Sequence, residues 1–164
     1  MNLKVKLLKK ENSNYDLLFN YIINSQNAAK IKNIFEVEKI GEAEIQDSKW
    51  NNNKNKTLLF HGSKVFNFLG ILTNGLKICP SEAPCTGQAY GRGIYFSDHY
   101  SKSYAYCDYY EYEDFQKNKI RNKYMLICEV ALGNMMEYKT EHYNEINDMS
   151  FLKSNFNLSF LFSD

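Results

Sequence analysis

Ten consecutive residues, Tyr124-Met125-Leu126-Ile127-Cys128-Glu129-Val130-Ala131-Leu132-Gly133, read as the clearest central strand of the chain. A fold for this sequence has to place that run inside a sheet and pack the remaining segments around it. With 164 residues and 44% hydrophobic content, the chain has the material for one domain with a real core.

Several other segments carry readable signals. Tyr15, Leu18, Phe19, Ile22 and Ile23 recur at helical spacing behind Ser13, which is placed to cap the first turn. Residues 31–45, with Ile34, Phe35, Val37 and Ile40, fit a strand followed by a turn near Gly41. The polar run 47–56 is expected to be a surface loop. Leu58-Leu59-Phe60-His61 reads as a short buried strand, with Gly62 permitting a sharp turn after it. Phe66 to Leu72 is compatible with a helix stopped by Asn74-Gly75. From Leu76 to Gly93 the chain is expected to form a flexible cover. Ile94-Tyr95-Phe96-Ser97 then reads as a strand, with Asp98 capping a helix that carries Ser101 to Cys107. The apolar, aromatic stretch Met149 to Asp164 is expected to form either a further strand or an ill-fitting exposed tail.

Composition excludes some classes. A formal net charge of +1 gives no support to a polyanion partner, and no nucleic-acid-binding module is recognisable. The first ten residues lack the apolar core of a signal peptide, and no run reaches membrane-spanning length, so a soluble intracellular protein without a membrane partner is expected. Cys79, Cys85, Cys107 and Cys128 have no Cys-x-x-Cys pairing and no histidine at ligand spacing, which points to reduced thiols and no metal site. His99 and His142 receive no role.

The chemistry lies in the order of groups between residues 59 and 107: Leu59-Phe60-His61-Gly62-Ser63, Asn67-Phe68-Leu69-Gly70-Ile71-Leu72, Gly93-Ile94-Tyr95-Phe96 and Ser101-Lys102-Ser103-Tyr104-Ala105-Tyr106-Cys107. Together with Ile34-Phe35-Glu36-Val37-Glu38-Lys39 and Glu129-Val130-Ala131-Leu132-Gly133, this order resembles the catalytic domain of the poly(ADP-ribose) polymerases over most of the chain. The resemblance implies an α+β ADP-ribosyltransferase fold of two packed, mainly antiparallel sheets with a cleft for NAD. Residues 1–28 would be the end of a helical regulatory domain, and residues 29–164 a catalytic domain incomplete at its C-terminus.

The function implied is transfer of ADP-ribose from NAD to a protein acceptor, the chain itself included, with release of nicotinamide. NAD is then a substrate and no cofactor is needed; the Gly91-Arg92-Gly93 turn is not a Rossmann fingerprint. By resemblance, Gly62 and Ser103 bind the nicotinamide carboxamide, while Tyr95 and Tyr106 sandwich its ring. His61 meets the adenosine ribose with Ser63 beside it, and Asn67, Gly70 and Lys77 line the dinucleotide. Lys102 points to the acceptor side, which makes His61, Tyr95 and Lys102 the expected catalytic group. The family's catalytic glutamate lies on a later strand and has no match here; Glu137, Glu141 and Glu145 come too early in the fold order. The alternative is therefore a catalytically inactive NAD-binding module or a gene fragment, lacking the catalytic glutamate. Nuclear residence follows from the family alone.

Overall fold

A computed structural model of the chain describes residues 3–25, 31–39, 52, 54–78 and 93–135, and residues 156–163 as backbone only. The elements in order are β1 (Leu3–Leu7), α1 (Ser13–Ile23), β2 (Ile31–Lys39), β3 (Lys56–Gly62), α2 (Val65–Asn74), α3 (Tyr100–Tyr104), β4 (Tyr110–Glu113), β5 (Lys119–Ala131) and β6 (Phe156–Ser163). The class is α+β, and the five strands of the main sheet run in the order β1-β2-β6-β5-β3 with antiparallel pairing throughout. β4 pairs with the first residues of β5, Tyr110 opposite Asn122 and Glu113 opposite Lys119, so the long β5 belongs to both the main sheet and this ribbon.

From Tyr124 to Ala131 β5 is apolar except at Glu129, because both of its faces are covered there. Side chains alternate along a strand, so Met125 and Ile127 enter one core with Leu18 and Ile22 of α1, Ile34 of β2, Phe60 of β3 and Tyr100 of α3. Leu126, Cys128 and Val130 enter another with Val37 of β2 and Phe68 of α2, against which Ile71 and Leu72 also pack. α1 and α3 thus lie over one face and α2 over the other. A helix between residues 13 and 23 therefore shares its core with β3 and β5 and does not build a separate one.

Four local expectations change. Residues 3–7, expected within the helical remnant, form a strand beside β2, with Leu3 opposite Lys39 and Leu7 opposite Phe35. Alternating Leu, Lys, Val, Lys, Leu suits that pairing better than a helix turn. The cap of α1 is Asn12, in extended conformation, whose Oδ1 accepts the Asn14 N–H at 2.9 Å; Ser13 is the first helical residue. Residues 94–97 make no strand beyond a single bridge between Ser97 and Phe60. Asp98 does not cap α3, because its carboxylate is taken by His99 Nδ1 at 2.6 Å while Ser97 Oγ accepts the His99 N–H.

The other expected elements stand, β2, β3, α2 and β5 among them. α2 ends at Gly75, whose φ of 79° is the left-handed conformation glycine tolerates. The apolar C-terminal stretch supplies β6, seated between β2 and β5 from Val37 opposite Leu158 to Lys123 opposite Ser163. The turn at Gly41, most of the 47–56 loop, the cover from 79 to 92 with Cys79 and Cys85, and Glu137, Glu141, His142 and Glu145 lie outside the described residues.

β3 and α3 approach so closely at Gly62 that an added Cβ would collide with the backbone carbonyl of Ser103 and press on Cys107 Sγ. Gly62→Ala should cost roughly 3 kcal/mol in urea unfolding, because backbone and not a flexible side chain must move. Gly70→Ala, with nothing near its added methyl group, should stabilise α2 by about 1 kcal/mol. Ile127→Ala, at a fully buried position, should cost about 3 kcal/mol, while Val5→Ala on the exposed side of β1 should stay within about 0.5 kcal/mol.

Candidate functional site

The site begins as an edge of β3. Phe60 donates its N–H to Ser97 O at 2.8 Å and accepts the Ser97 N–H at 3.0 Å, so its peptide groups face away from β5. That bridge is a single pair. Backbone groups alternate along a strand, and Gly62, two residues on, turns its N–H and C=O toward the same edge as Phe60. His61, between them, puts its side chain on the face shared with Leu59, where its ring lies 5.6 Å from that of Phe96. Its Nδ1 is 2.8 Å from Tyr95 O; a carbonyl only accepts, so Nδ1 carries the proton and Nε2 of the neutral ring remains an acceptor.

α3 closes on this edge. Ser103, 4% exposed, donates its hydroxyl to Phe60 O at 3.0 Å, which gives that carbonyl two donors. Neither site helix has a side-chain cap of its own. The first N–H of α3, from Tyr100, goes to Ser25 Oγ at 2.7 Å, and that of α2, from Val65, goes to Asp108 Oδ1 at 2.6 Å. Past the end of α3 the chain turns, with the Tyr106 N–H on Ser103 O, and Tyr106 stands 55% exposed. Tyr95, whose carbonyl meets His61, is 38% exposed. Across the strand end, Asn67 Nδ2 donates to Ser63 Oγ at 3.0 Å and ties the first turn of α2 to the residue after Gly62.

Burial holds His61 below the ordinary imidazole value, opposed by its bond to Tyr95 O. Burial pushes the Cys107 thiol up to about 11, although the Ser63 N–H and the Lys123 charge favour the thiolate. Lys123, itself nearly buried on β5, sets its ammonium 3.9 Å from the Tyr104 ring centroid and 4.6 Å from that of Tyr109, and reaches Tyr104 O at 3.5 Å. The Tyr104 phenol is pushed up to about 12 by burial and by its bond to Tyr109.

The structure therefore brings His61 to Tyr95, Gly62 to Ser103, and Ser63 to Asn67. Gly70, Lys77 and Lys102 are exposed, and among the described residues no hydrogen bond or ion pair joins them to that group. The charge of Lys102 is felt by Asp98, whose carboxyl is held low first by its hydrogen bond to His99. Ser25, Ser97, Cys107 and Asp108 escaped sequence reasoning. Each acts on backbone far away in the chain, and nothing in local spacing announces such a partner. No cluster that would hold a metal occurs among the described residues, and none of their helices is long and apolar enough to cross a membrane. A separate cleft of about 270 Å³ lies between β1, the start of α1 and β2, lined by Lys9, Lys10 and Lys32 among others, and shares no residue with this group.

Known proteins resemble the chain over most of its length. The family model described as poly(ADP-ribose) polymerase catalytic domain matches residues 12–155. The chain is 36% identical over 146 residues to poly [ADP-ribose] polymerase 2 of Zea mays, covering 85% of this chain and 21% of that protein. It is 40% identical over 149 residues to poly [ADP-ribose] polymerase of Drosophila melanogaster, covering 87% and 14%, and 40% identical over 131 residues to poly [ADP-ribose] polymerase 1 of Oryza sativa subsp. japonica, covering 76% and 13%. It spans about a fifth or less of the length of these relatives. With the family model matching most of its length, the chain belongs to the poly(ADP-ribose) polymerase catalytic-domain family.

Proposed function

We propose that the chain transfers ADP-ribose from NAD to a protein acceptor and releases nicotinamide. The observation that carries this reading is the pairing of Gly62 with Ser103: a strand edge offering one N–H and one C=O, with a hydroxyl brought against it by the missing side chain. A primary carboxamide needs that set, one acceptor for its NH2 and donors for its oxygen. Ser103 now gives its proton to Phe60 O, so gripping the carboxamide requires the hydroxyl to turn toward the ligand. Phe60 O keeps the Ser97 N–H when it does. The exposed faces of Tyr95 and Tyr106 supply stacking surface for the nicotinamide ring.

In the reaction, the bond from the ribose C1′ to the nicotinamide nitrogen breaks and its electron pair leaves with neutral nicotinamide. Positive charge builds on the sugar, and the acceptor nucleophile bonds to C1′ and gives up its proton. Holding the leaving group and both riboses in one geometry supplies most of what the protein contributes. His61 Nε2 accepts from an adenosine ribose hydroxyl; its lowered proton affinity keeps it neutral and able to accept at neutral pH. Ser63, Asn67, Gly70 and Lys77 line the dinucleotide, and Lys102 orients the acceptor. The nucleus, expected from the family, belongs to the same proposal.

The deciding assay follows nicotinamide release and labelled ADP-ribose on protein, with His61→Ala as control. His61-dependent transfer is expected; NAD binding without release would leave a binding module and overturn the proposed activity. Ser103→Ala and Tyr106→Ala should each weaken nicotinamide and NAD binding by roughly 1–3 kcal/mol in calorimetry, and unchanged affinity in both would remove the pocket assignment. His61→Ala should weaken NAD while sparing free nicotinamide. Acid titration checks the histidine: the unfolded imidazole titrates near 6.5 and the folded one lower, so His61 contributes stability that is full above 6.5 and is lost as pH falls toward the folded value. His61→Gln should flatten that part of the stability curve.

A further inference from the structure

α2 starts at Val65, and the residue in its capping position, Lys64, makes no side-chain cap. The Val65 N–H donates instead to the Asp108 carboxylate at 2.6 Å, from 43 residues further along the chain. Asp108 follows Cys107, whose buried sulfur receives the Ser63 N–H and lies 3.6 Å from Ser103 O. One turn earlier, Ser103 Oγ holds Phe60 O. Residues 103, 107 and 108 thus fasten the backbone at 60, 63 and 65 in order, like three stitches along one seam. β3 itself is fixed as far as Gly62 by its pairing with Met125, so the first two stitches fall on or just beside a rigid strand. The Asp108 contact ties the start of α2, which carries Asn67, to the segment after α3, while Asn67 Nδ2 on Ser63 Oγ joins that turn to the end of its own strand.

We infer that Asp108 is a positioning residue for the dinucleotide side of the NAD site: it fixes the first turn of α2, with Ser63 and Asn67, against the segment that carries Ser103 and Tyr106. This inference rests on the NAD reading of the site. A carboxylate suits the place on two counts. It meets the positive end of the helix, and its bond to a backbone N–H is charge-assisted. A cap on Lys64 would serve the helix alone, whereas Asp108 serves the helix and ties it to the opposite wall.

The test compares Asp108→Ala, Asp108→Asn and the double variant Asp108→Ala with Lys64→Asp, which installs a local cap in place of the remote one. Calorimetry with NAD and with free nicotinamide is the readout, beside thermal melting. Asp108→Ala should weaken NAD by about tenfold while free nicotinamide, gripped at the fixed strand end, is unchanged. Asp108→Asn keeps an acceptor oxygen and should bind NAD nearly as the unaltered chain does. The double variant should regain the melting temperature but not the NAD affinity, and it carries the comparison should Asp108→Ala fail to fold. Undiminished NAD binding by Asp108→Ala, or its full return in the double variant, would overturn the inference. An unaltered chain that binds no NAD would sink the reading of the site instead. Amide exchange then decides the fastening alone: faster exchange confined to residues 63–67 in Asp108→Ala upholds it, and unchanged exchange there refutes it.

Discussion

The carbonyl oxygen of Phe60 accepts from Ser97 N–H and from Ser103 Oγ, and the site is arranged around that atom. Phe60 is fully buried, with its ring between Tyr21 at 5.0 Å and Tyr100 at 5.8 Å, so the oxygen can be satisfied only by protein groups brought to it. Ser97 brings the segment bearing Tyr95, and Ser103 brings α3. Because Phe60 spends its backbone groups on that side, the alternation of the strand obliges Gly62 to face the same way. The position of the site follows from satisfying one buried peptide.

The sheet makes that arrangement rigid. β5 contacts β3 on one side and β6 on the other, with both faces packed, so displacing it would open two cores at once. The two helices beside the candidate site have no side-chain cap of their own: α3 has five residues, and its first N–H relies on Ser25. Helices this short have little stability of their own and take their order from packing. The chain places geometry-critical side chains on such helices and lets remote contacts hold them. Lys123 illustrates the same economy, its ammonium against two tyrosine rings and the last carbonyl of α3.

What the sequence disclosed divides along the same line. β5, β2, β3 and α2 were legible because burial writes a period into the residues that line it, and Gly75 marks the end of α2 by its backbone conformation. His61, Gly62, Ser103, Tyr95 and Tyr106 were singled out by the order of their groups, and the structure sets His61 against Tyr95 O and Gly62 against Ser103. Residues 94–97 misled because their apolar content suggested a ladder, whereas one bridge and the ring contact of Phe96 with His61 account for them. Leu3–Leu7 alternates strictly, yet it was missed because the family resemblance assigned residues 1–28 to a helical remnant. Asp108 and Ser25 carried no local signal at all: a side chain that caps a helix tens of residues away looks like any loop residue until the fold is known.

Gly62 has one more consequence, for the way the molecule ages. The close passage of β3 and α3 exists only when segments some forty residues apart have come together, so no partial structure holds that juxtaposition. A dinucleotide seated there would bind the finished fold and ignore every incomplete one. At a concentration a hundred times its dissociation constant, such a ligand deepens the folded state by about 2.7 kcal/mol. The lifetime of the chain against proteolysis would then rise and fall with the supply of the nucleotide, making its abundance a slow record of the metabolic state around it.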